Sequence, residues 1–374
     1  MSRLASDPYR EVMDRVGTVV IGAGQAGLAM GYCLREDFVI LEQNDRVGDC
    51  WRERYDSLRL FSLPRYASLP GLRIGTRDCP SRDEMADYLE QYAVHHELPV
   101  RTGVRVTRLS RDEEGFLVET SAGDWRADQV VVAAGMHSTP RRPSYADELD
   151  PSIRQLHSLE YRNTDQLADG TVLVVGAANS GTDIALDAVK THRTLLAGRH
   201  PGQVPVDIDS TVGHVFTPVV MFLFKYVLTR RTPMGRKAIA NAVQKGLPLT
   251  RNKLDHLDAA GIERLGRIDG VRDGRPVTAD GDVLDDVRTV VWCTGSDPDH
   301  SWIDLPVFED DGRPRHERGV SADVPGLFFL GLDFQYAIAS ASIQGVDRDA
   351  RYLVKRLGQA TLRSTLMLPR VALE

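Results

Sequence analysis

Two glycine-rich turns constrain the fold of this chain more than any other feature. The first has Gly22, Gly24 and Gly27 after the apolar run 16–21; the second, about 150 residues later, spans Gly176 to Gly181 after the run 172–175. In such a pattern the first glycine permits a tight turn, the second lets the backbone approach a pyrophosphate, and the third lets a helix pack on a strand. The repetition predicts an α/β protein with two Rossmann-like dinucleotide-binding domains.

The two turns differ in the charge that follows the next apolar run. After the first turn that run ends in Glu42; after the second, the run 194–197 leads into Arg199 and His200. A carboxylate accepts hydrogen bonds from a ribose with free hydroxyls and repels a 2′-phosphate, whereas arginine matches the phosphate oxygens. The first site therefore suits FAD or NAD, and the second suits NADPH, unless Arg199 is an ordinary surface arginine.

The second turn departs from the pattern at Ala178, where a glycine often stands. Asn179 and Ser180 come next, and we expect them to cap the helix and donate to phosphate. The alternative is a structural turn between a strand and a helix.

The rest of the chain predicts a discontinuous first domain. Residues 81–95 have helical spacing with Ser81 as a cap, and the runs 104–109, 116–120 and 125–132 resemble antiparallel strands. A proline-rich linker follows, and a helix is expected at 342–357. We predict an FAD-binding domain at 1–153, an NADPH-binding domain inserted at 154–295, and a return segment of the FAD-binding domain at 296–374.

Composition narrows the function classes. A net charge of −7 argues against a nucleic-acid-binding protein, and the four cysteines form no close pair, which disfavours a disulfide framework or a metal cluster. Residues 1–11 are polar, so we expect a cytoplasmic protein without a signal peptide. The most apolar stretch, 215–228, contains Pro218 and Lys225 and is too short for a transmembrane segment. We interpret it as a buried helix or channel wall, with a dimer contact or a membrane-surface contact as alternatives.

Several stretches together resemble the flavin-containing monooxygenase superfamily, in particular its bacterial branch that is similar to plant YUCCA enzymes. They are residues 41–51 (LEQNDRVGDCW), 54–60 (RYDSLRL), 66–71 (YASLPG) and 324–331 (VPGLFFLG). The resemblance covers nearly the whole chain.

This resemblance implies two cofactor sites and assigns residues to them. The residues implied for FAD are Gly22, Gly24, Gly27, Glu42, Trp51, Gly135 and Gly331. The residues implied for NADPH are Gly176, Asn179, Ser180, Gly181 and Arg199. Trp51 would run beside the flavin ring, and its place after the Glu42 turn favours this contact over the alternative of a core residue. Gly331 would lie near the ribityl chain.

The implied activity is that of a monooxygenase with a small-molecule substrate and dioxygen. Hydride would pass from NADPH to the flavin, and a C4a-hydroperoxide would then transfer one oxygen atom. No metal and no particular catalytic side chain are expected, and a homodimer is possible.

Two departures from the family favour an alternative. Phe61 stands where many members place an asparagine beside the flavin, and Pro151 and Ile153 alter the stretch before His157 and Tyr161. An NADPH-dependent flavoprotein reductase or oxidase that does not insert oxygen is therefore the second hypothesis. We expect His157 to have a structural role, positioning the linker between the domains.

Overall fold

A computed structural model describes residues 14–35, 37–204 and 210–366. Its helices are α1 (Gln25–Cys33), α2 (Asp49–Arg52), α3 (Arg82–His95), α4 (Asn179–Ala188), α5 (Thr211–Phe222), α6 (Pro233–Lys245), α7 (Leu254–Ala259) and α8 (Ile343–Leu366). Its strands in the first half are β1 (Asp14–Ile21), β2 (Phe38–Leu41), β3 (Val100–Arg101), β4 (Val106–Asp112), β5 (Gly115–Thr120), β6 (Trp125–Val132), β7 (Thr139–Pro140), β8 (Arg154–His157), β9 (Thr171–Val175) and β10 (Thr194–Ala197). Those in the second half are β11 (Glu263–Leu265), β12 (Ile268–Arg272), β13 (Arg275–Thr278), β14 (Val287–Trp292), β15 (Ser296–Asp297), β16 (His316–Glu317), β17 (Val320–Ser321) and β18 (Leu327–Phe329).

The first sheet is built from both ends of the chain. Its parallel centre has the order β18-β6-β1-β2-β3. β5 pairs antiparallel with the first half of β6, and β4 pairs with β5. Because β18 comes from the return segment and pairs beside β6, the polypeptide leaves this sheet and later rejoins it.

The second sheet lies entirely within the excursion. Its five strands are parallel, in the order β11-β10-β9-β14-β8. This topology confirms the predicted α/β fold with one Rossmann-like unit inserted in the other. The exact boundaries at 153/154 and 295/296 stay a prediction.

Apolar side chains cover both faces of each sheet. In the first sheet, Val20 and Ile40 face the cluster with α1, α3 and α8, while Val19 and Val39 face the opposite cluster with β4 and β5. The second sheet alternates in the same way. Near-continuous apolar strands are expected where parallel sheets are buried on both sides.

The two crossings between the units are held side by side. β7 pairs antiparallel with β15, and Arg141 forms an ion pair with Asp297. Elsewhere, the hydroxyl of the buried Tyr55 donates to the Asp183 carboxylate at 2.9 Å, joining the first unit to the second. Desolvation raises the pKa of that carboxyl group.

Most sequence-predicted elements are confirmed with small shifts. α3 begins after Ser81 as expected, and the three predicted antiparallel strands correspond to β4, β5 and β6, although β6 also pairs in parallel with β1 and β18. The helix expected at 342–357 extends to Leu366. Residues 1–11 and 367–374 lie outside the described residues.

The preferred interpretation of the apolar stretch 215–228 as a buried helix is wrong, because the stretch is helical but partly exposed. It forms most of α5 and a following π-helical turn, Leu223–Val227, and several of its large side chains are exposed. Within the described ranges, every helix is too short or too polar to cross a membrane.

The α3 capping box supplies a test of local stability. The Ser81 hydroxyl accepts from the Glu84 N–H at 3.2 Å, and the Glu84 carboxylate accepts from the Ser81 N–H at 2.7 Å. We expect Ser81→Ala to lower the free energy of unfolding by about 1 kcal/mol, and Ser81→Gly by only a few tenths. Urea denaturation monitored by circular dichroism would measure both, and equal losses would contradict the capping argument.

The same box has a predictable pH dependence. The hydrogen bond from the Ser81 N–H lowers the pKa of Glu84. The contribution of the ionised Glu84 to the free energy of unfolding is therefore complete above the ordinary pKa of glutamate. It is lost as the pH falls through the lowered pKa of Glu84 in the folded protein.

Candidate cofactor-binding site

The first glycine turn is shaped by close backbone contacts. Gly22 has φ of 102°, and a Cβ atom there would lie 2.5 Å from the Ala133 carbonyl oxygen. A Cβ atom on Gly27 would lie 1.8 Å from the Gly22 carbonyl oxygen. Only glycine fits at both positions, so α1 begins directly against the carboxyl edge of β1 and β6.

Gly24 has a different reason to be glycine. Within the described part of the chain, no atom other than those of the adjoining backbone lies within 4 Å of where its Cβ would be, so packing does not require the small residue. Gly24 is also the N-cap of α1, and no side chain caps this helix. Unpaired N–H groups and the helix dipole thus face an open cradle, which fits a pyrophosphate.

Glu42 is fixed at the edge of this cradle. The carboxylate is buried and accepts from the Ala23 N–H at 2.7 Å and from the Asn44 N–H at 3.0 Å. Each carboxylate oxygen can accept a second hydrogen bond. The group is therefore oriented in advance to receive two ribose hydroxyls.

The remaining residues predicted to bind FAD lie around this edge. Gly135 and Gly331 follow β6 and β18, and Gly331 lies beside Ala26 of α1. Trp51, on α2, is half-buried and packs on the first core cluster. The structure thus brings the strand-end candidates to one edge, while their role in binding stays a prediction.

The second glycine turn repeats the first in detail. A Cβ atom on Gly176 would lie 2.2 Å from the Cys293 carbonyl oxygen, and one on Gly181 would lie 1.7 Å from the Gly176 carbonyl oxygen. The Gly176 N–H donates to the Ala197 carbonyl at 2.8 Å, as the Gly22 N–H donates to Leu41 at 2.7 Å. Both turns therefore present a helix N-terminus in the same way.

The expectation that Asn179 and Ser180 cap α4 is wrong. The N-cap is Ala178, and no side-chain cap hydrogen bond is formed. Asn179 is the first helical residue, and Ser180 is exposed beside it. This second uncapped helix leaves its N–H groups available to an anion, as in α1.

The hydrogen-bond register corrects the comparison between Glu42 and Arg199. Leu41 and Ala197 hold equivalent positions, because each carbonyl accepts from the N–H of the first glycine of its turn. Glu42 therefore corresponds to Gly198, and Arg199 lies one residue further on. The second site thus lacks an acid at this position and has an exposed arginine next to it. Among the described residues, Arg199 has no hydrogen bond or ion pair.

A pocket of about 340 Å³ opens at this point. It is lined by Ala177 and Gly198 from the turn region and by His200 and Arg264, with apolar residues behind them. His200 Nε2 is buried without a hydrogen-bond partner within the described part of the chain, and desolvation lowers the pKa of this histidine. Sequence reasoning missed Arg264, since only the parallel pairing of β11 with β10 brings it to the site.

His157 has the structural position that the sequence suggested. It is fully buried, its Nδ1 accepts from the Leu159 N–H at 3.2 Å, and its Nε2 lies 2.9 Å from the Gly295 carbonyl oxygen. This arrangement assigns the proton to Nε2, which donates to Gly295. His157 therefore ties β8 to the second crossing. The Tyr161 hydroxyl donates to Asp187 at 2.9 Å and is likewise structural.

Two titratable side chains in the region between the units had not been expected to interact. His137, two residues beyond Gly135, lies 2.9 Å from the Ser296 hydroxyl through Nδ1. Desolvation and the charge of Arg54 lower the pKa of His137, and desolvation raises that of Asp333. Both residues are exposed to solvent, and each charge opposes the shift of the other group.

The cysteines do not support dithiol chemistry. All four are free, and desolvation of the thiol raises the pKa of Cys50 to about 12 although the residue as a whole is exposed. A protonated thiol is a weak nucleophile.

Comparison with known proteins identifies the family. Residues 19–211 match the profile of the pyridine nucleotide-disulphide oxidoreductases. A CzcO-like oxidoreductase of Geobacillus kaustophilus is 36% identical over 354 residues, which cover 91% of this chain and 97% of that protein. The chain belongs to the pyridine nucleotide-disulphide oxidoreductase family.

Other relatives include monooxygenases. The indole-3-pyruvate monooxygenase YUCCA1 of Oryza sativa is 34% identical over 187 residues, or 46% of this chain and 44% of that protein. A flavin-containing monooxygenase from Stenotrophomonas maltophilia has a similar structure, with a TM-score of 0.71 at 28% identity, covering 94% of this chain and all of that one. A double mutant of the flavin monooxygenase from this organism gives a TM-score of 0.77 at 27% identity and the same coverage. The predicted similarity to flavin monooxygenases is confirmed, and the chain is a flavin-dependent oxidoreductase that uses a nicotinamide cofactor.

The different surroundings of Gly24 and Gly27 give a paired prediction. Gly27→Ala introduces a backbone clash and should lower the free energy of unfolding by about 1–3 kcal/mol. Gly24→Ala meets open space, so only the poorer N-cap preference of alanine should act, and it should lower the stability of the apoprotein by about 0.5–1 kcal/mol. The new methyl group would nevertheless occupy the cradle, and flavin retention should fall at least about 10-fold.

Thermal unfolding of the apoprotein and the flavin content of the purified protein would separate these effects. Gly75→Ala is the control, since no atom lies within 4 Å of a Cβ there and it is not among the glycines with positive φ. Full flavin content in Gly24→Ala would show that the cradle does not hold the pyrophosphate.

Proposed function

We propose that this chain is an FAD- and NADPH-dependent monooxygenase that acts on a small organic substrate. The observation that carries the proposal is the pair of equivalent glycine turns with opposite charge beside them. Glu42 lies at the first turn, whereas Gly198 and Arg199 lie at the second. One site thus fits an unmodified ribose and the other a ribose with a 2′-phosphate.

In the first site, the protein would bind and orient FAD. The α1 N-terminus and Gly24 would receive the pyrophosphate, and the fixed Glu42 carboxylate would accept from the adenosine ribose. Gly135, Gly331 and Trp51 would surround the rest of the cofactor. When bound, FAD supplies the hydride acceptance and dioxygen activation that amino-acid side chains lack.

In the second site, two arginines and one histidine would select NADPH over NADH. The α4 N-terminus would receive the pyrophosphate beside Gly176 and Gly181, with Asn179 and Ser180 at its first turn. Arg199, His200 and Arg264 would surround the 2′-phosphate, of which Arg264 also pairs with Asp258 at 2.9 Å. Arginine suits this role because its planar fork matches phosphate oxygens.

The substrate would enter a larger pocket of about 560 Å³. Its apolar lining includes Tyr66, Leu69, Met221, Phe222 and Tyr226. The sequence predicts that the segments 60–66 and 204–226, which are largely apolar and aromatic, line the substrate pocket, and both contribute to this lining. Residues 205–209 lie outside the described residues. The lining also includes Arg65, Arg73, Lys225 and Asp347, so it would suit a substrate that combines an apolar or aromatic part with a polar group.

A specific observation favours the second candidate, a reductase or oxidase that does not insert oxygen. Phe61 is 45% exposed, and its ring offers no hydrogen-bond donor where many flavin-containing monooxygenases place an asparagine amide.

Arg199→Ala tests the assignment of NADPH. Loss of a charge-assisted hydrogen bond to the 2′-phosphate should raise the KM for NADPH about 10- to 100-fold while hardly changing that for NADH. Steady-state kinetics with both nucleotides would measure this difference. Arg272→Ala, an exposed arginine on the hairpin β12–β13, is the matched control. A similar rise with NADH would rule out the 2′-phosphate role.

Rapid mixing distinguishes oxygen insertion from oxidase chemistry. The protein would be reduced with NADPH without air and mixed with oxygenated buffer while the flavin absorbance is recorded. A monooxygenase should show a transient spectrum unlike oxidised or reduced flavin, and little peroxide should be released until that spectrum decays. Direct return of the oxidised spectrum with one peroxide per NADPH would support the reductase or oxidase. In that case, Phe61→Asn should slow peroxide release if the missing amide is the cause.

A further inference from the structure

The solvent-facing side of α5 is apolar. The exposed apolar side chains of α5, with Leu223 directly after it, and their exposed fractions are Val215 69%, Phe216 53%, Val219 55%, Phe222 57% and Leu223 37%. We call these five residues the apolar stripe. Their spacing of one, three or four residues places them on one side of the helix. On the opposite side of α5, Gly213 and Thr217 are buried. The apolar side, which would ordinarily face a core, is therefore exposed to solvent.

The surrounding sequence has an unusual charge. Residues 210–254 contain eight lysines and arginines and no aspartate or glutamate, in a chain whose net charge is −7. The segment thus contributes +8, and the rest of the chain carries −15. The exposed apolar stripe therefore lies within a strongly basic segment of the sequence.

Four of these cations are exposed where α5 gives way to α6. They are Arg230, Arg231, Arg236 and Lys237, which we call the basic cluster. Arg230 donates to the Phe334 carbonyl at 2.8 Å, and Arg236 donates to the Arg231 carbonyl at 3.2 Å. Within the described ranges, none of the four forms an ion pair. Their charges therefore remain uncompensated by the protein.

The basic cluster is held close to the stripe. A Cβ atom on Gly235 would lie 2.1 Å from the Thr229 carbonyl oxygen, and the Thr232 hydroxyl caps α6 by accepting from the Gly235 N–H at 3.1 Å. These contacts fix the start of α6 against the end of the α5 segment. Among the α6 residues whose burial is described, only Gly235 is buried, and Ala238, Ile239 and Ala242 are half-buried. α6 thus packs little against the rest of the fold.

We propose that the apolar stripe and the basic cluster together dock on an anionic membrane surface. Phenylalanine, valine and leucine side chains would enter the boundary between headgroups and acyl chains, and the cations would bind lipid phosphates. A second copy of the chain fits less well, because two basic clusters would repel each other across a symmetric contact. Docking of this kind needs no membrane-spanning helix.

The position of the substrate pocket gives this surface a use. Phe222 belongs to the stripe and also lines the pocket of about 560 Å³, together with Met221, Lys225 and Tyr226 from the same helical segment. The pocket therefore opens beside the docking surface, and an apolar molecule dissolved in the bilayer would reach it with little exposure to water. The docking itself is independent of the proposed reaction.

Vesicle sedimentation with the full-length, flavin-loaded protein tests the proposal. The probes are vesicles of phosphatidylcholine alone and vesicles with phosphatidylglycerol as about one third of the lipid. Binding should be specific to the anionic vesicles and weaken with salt. Arg231→Gln/Lys237→Gln should lower the partition coefficient about 20- to 30-fold, since each cation near the surface contributes a factor of about five. Phe216→Ser/Val219→Ser should lower it at least about 10-fold.

Matched variants control for changes elsewhere on the surface. Val94→Ser replaces an apolar residue on α3 that is 74% exposed, and Arg267→Gln/Arg272→Gln removes two exposed arginines from the region of β12. Both should sediment like the parent chain. Unchanged circular dichroism and flavin content would show that each variant is folded.

Three results would overturn the proposal. The first is no sedimentation with anionic vesicles, and the second is equal binding to both vesicle types. The third is a concentration-dependent dimer, seen by light scattering, that Phe216→Ser/Val219→Ser converts to a monomer without any vesicle binding by the parent. That last result would assign the stripe to a second copy of the chain.

Discussion

The contact between the third glycine of each turn and the carbonyl of the first is the constraint on which the rest of the structure depends. In both units the third glycine leaves no room for a Cβ atom, which would lie less than 2 Å from that oxygen. The helix can therefore begin directly at the strand end. The absence of side-chain caps on α1 and α4 then leaves each helix N-terminus available to an anion. The same geometry, used twice, creates both candidate cofactor sites.

The contacts between the units determine how the two sites face each other. The pairing of β7 with β15, the Arg141–Asp297 ion pair and the contact of His157 with Gly295 hold the two crossings together. The Tyr55–Asp183 hydrogen bond adds a connection away from the crossings. Because hydride transfer requires two cofactors at close range, these contacts matter to the proposed reaction even though none of them touches a candidate cofactor residue.

Much of the fold could be predicted from the sequence because its signals are local. The glycine spacing, the apolar runs and the Ser81 capping box act within one turn or one strand, and the structure confirms the elements that they predict. The return of the chain to the first sheet was also predicted, and the pairing of β18 with β6 confirms it. The cap expected from Asn179 and Ser180 was wrong because cap position depends on the backbone conformation at Ala178, which the residue types alone do not specify.

The sequence by itself determined the fold class, the insertion of one unit in the other and the charge contrast between Glu42 and Arg199. Only the tertiary structure decided which residues meet across distant segments. It showed that Gly198 in the second unit is equivalent to Glu42 in the first. It also brought Arg264 into the second site through β11 and left the apolar side of α5 facing solvent. The physical reason is that periodicity shows that a helix has an apolar side but not which surface covers it. That depends on the packing of elements far apart in the chain.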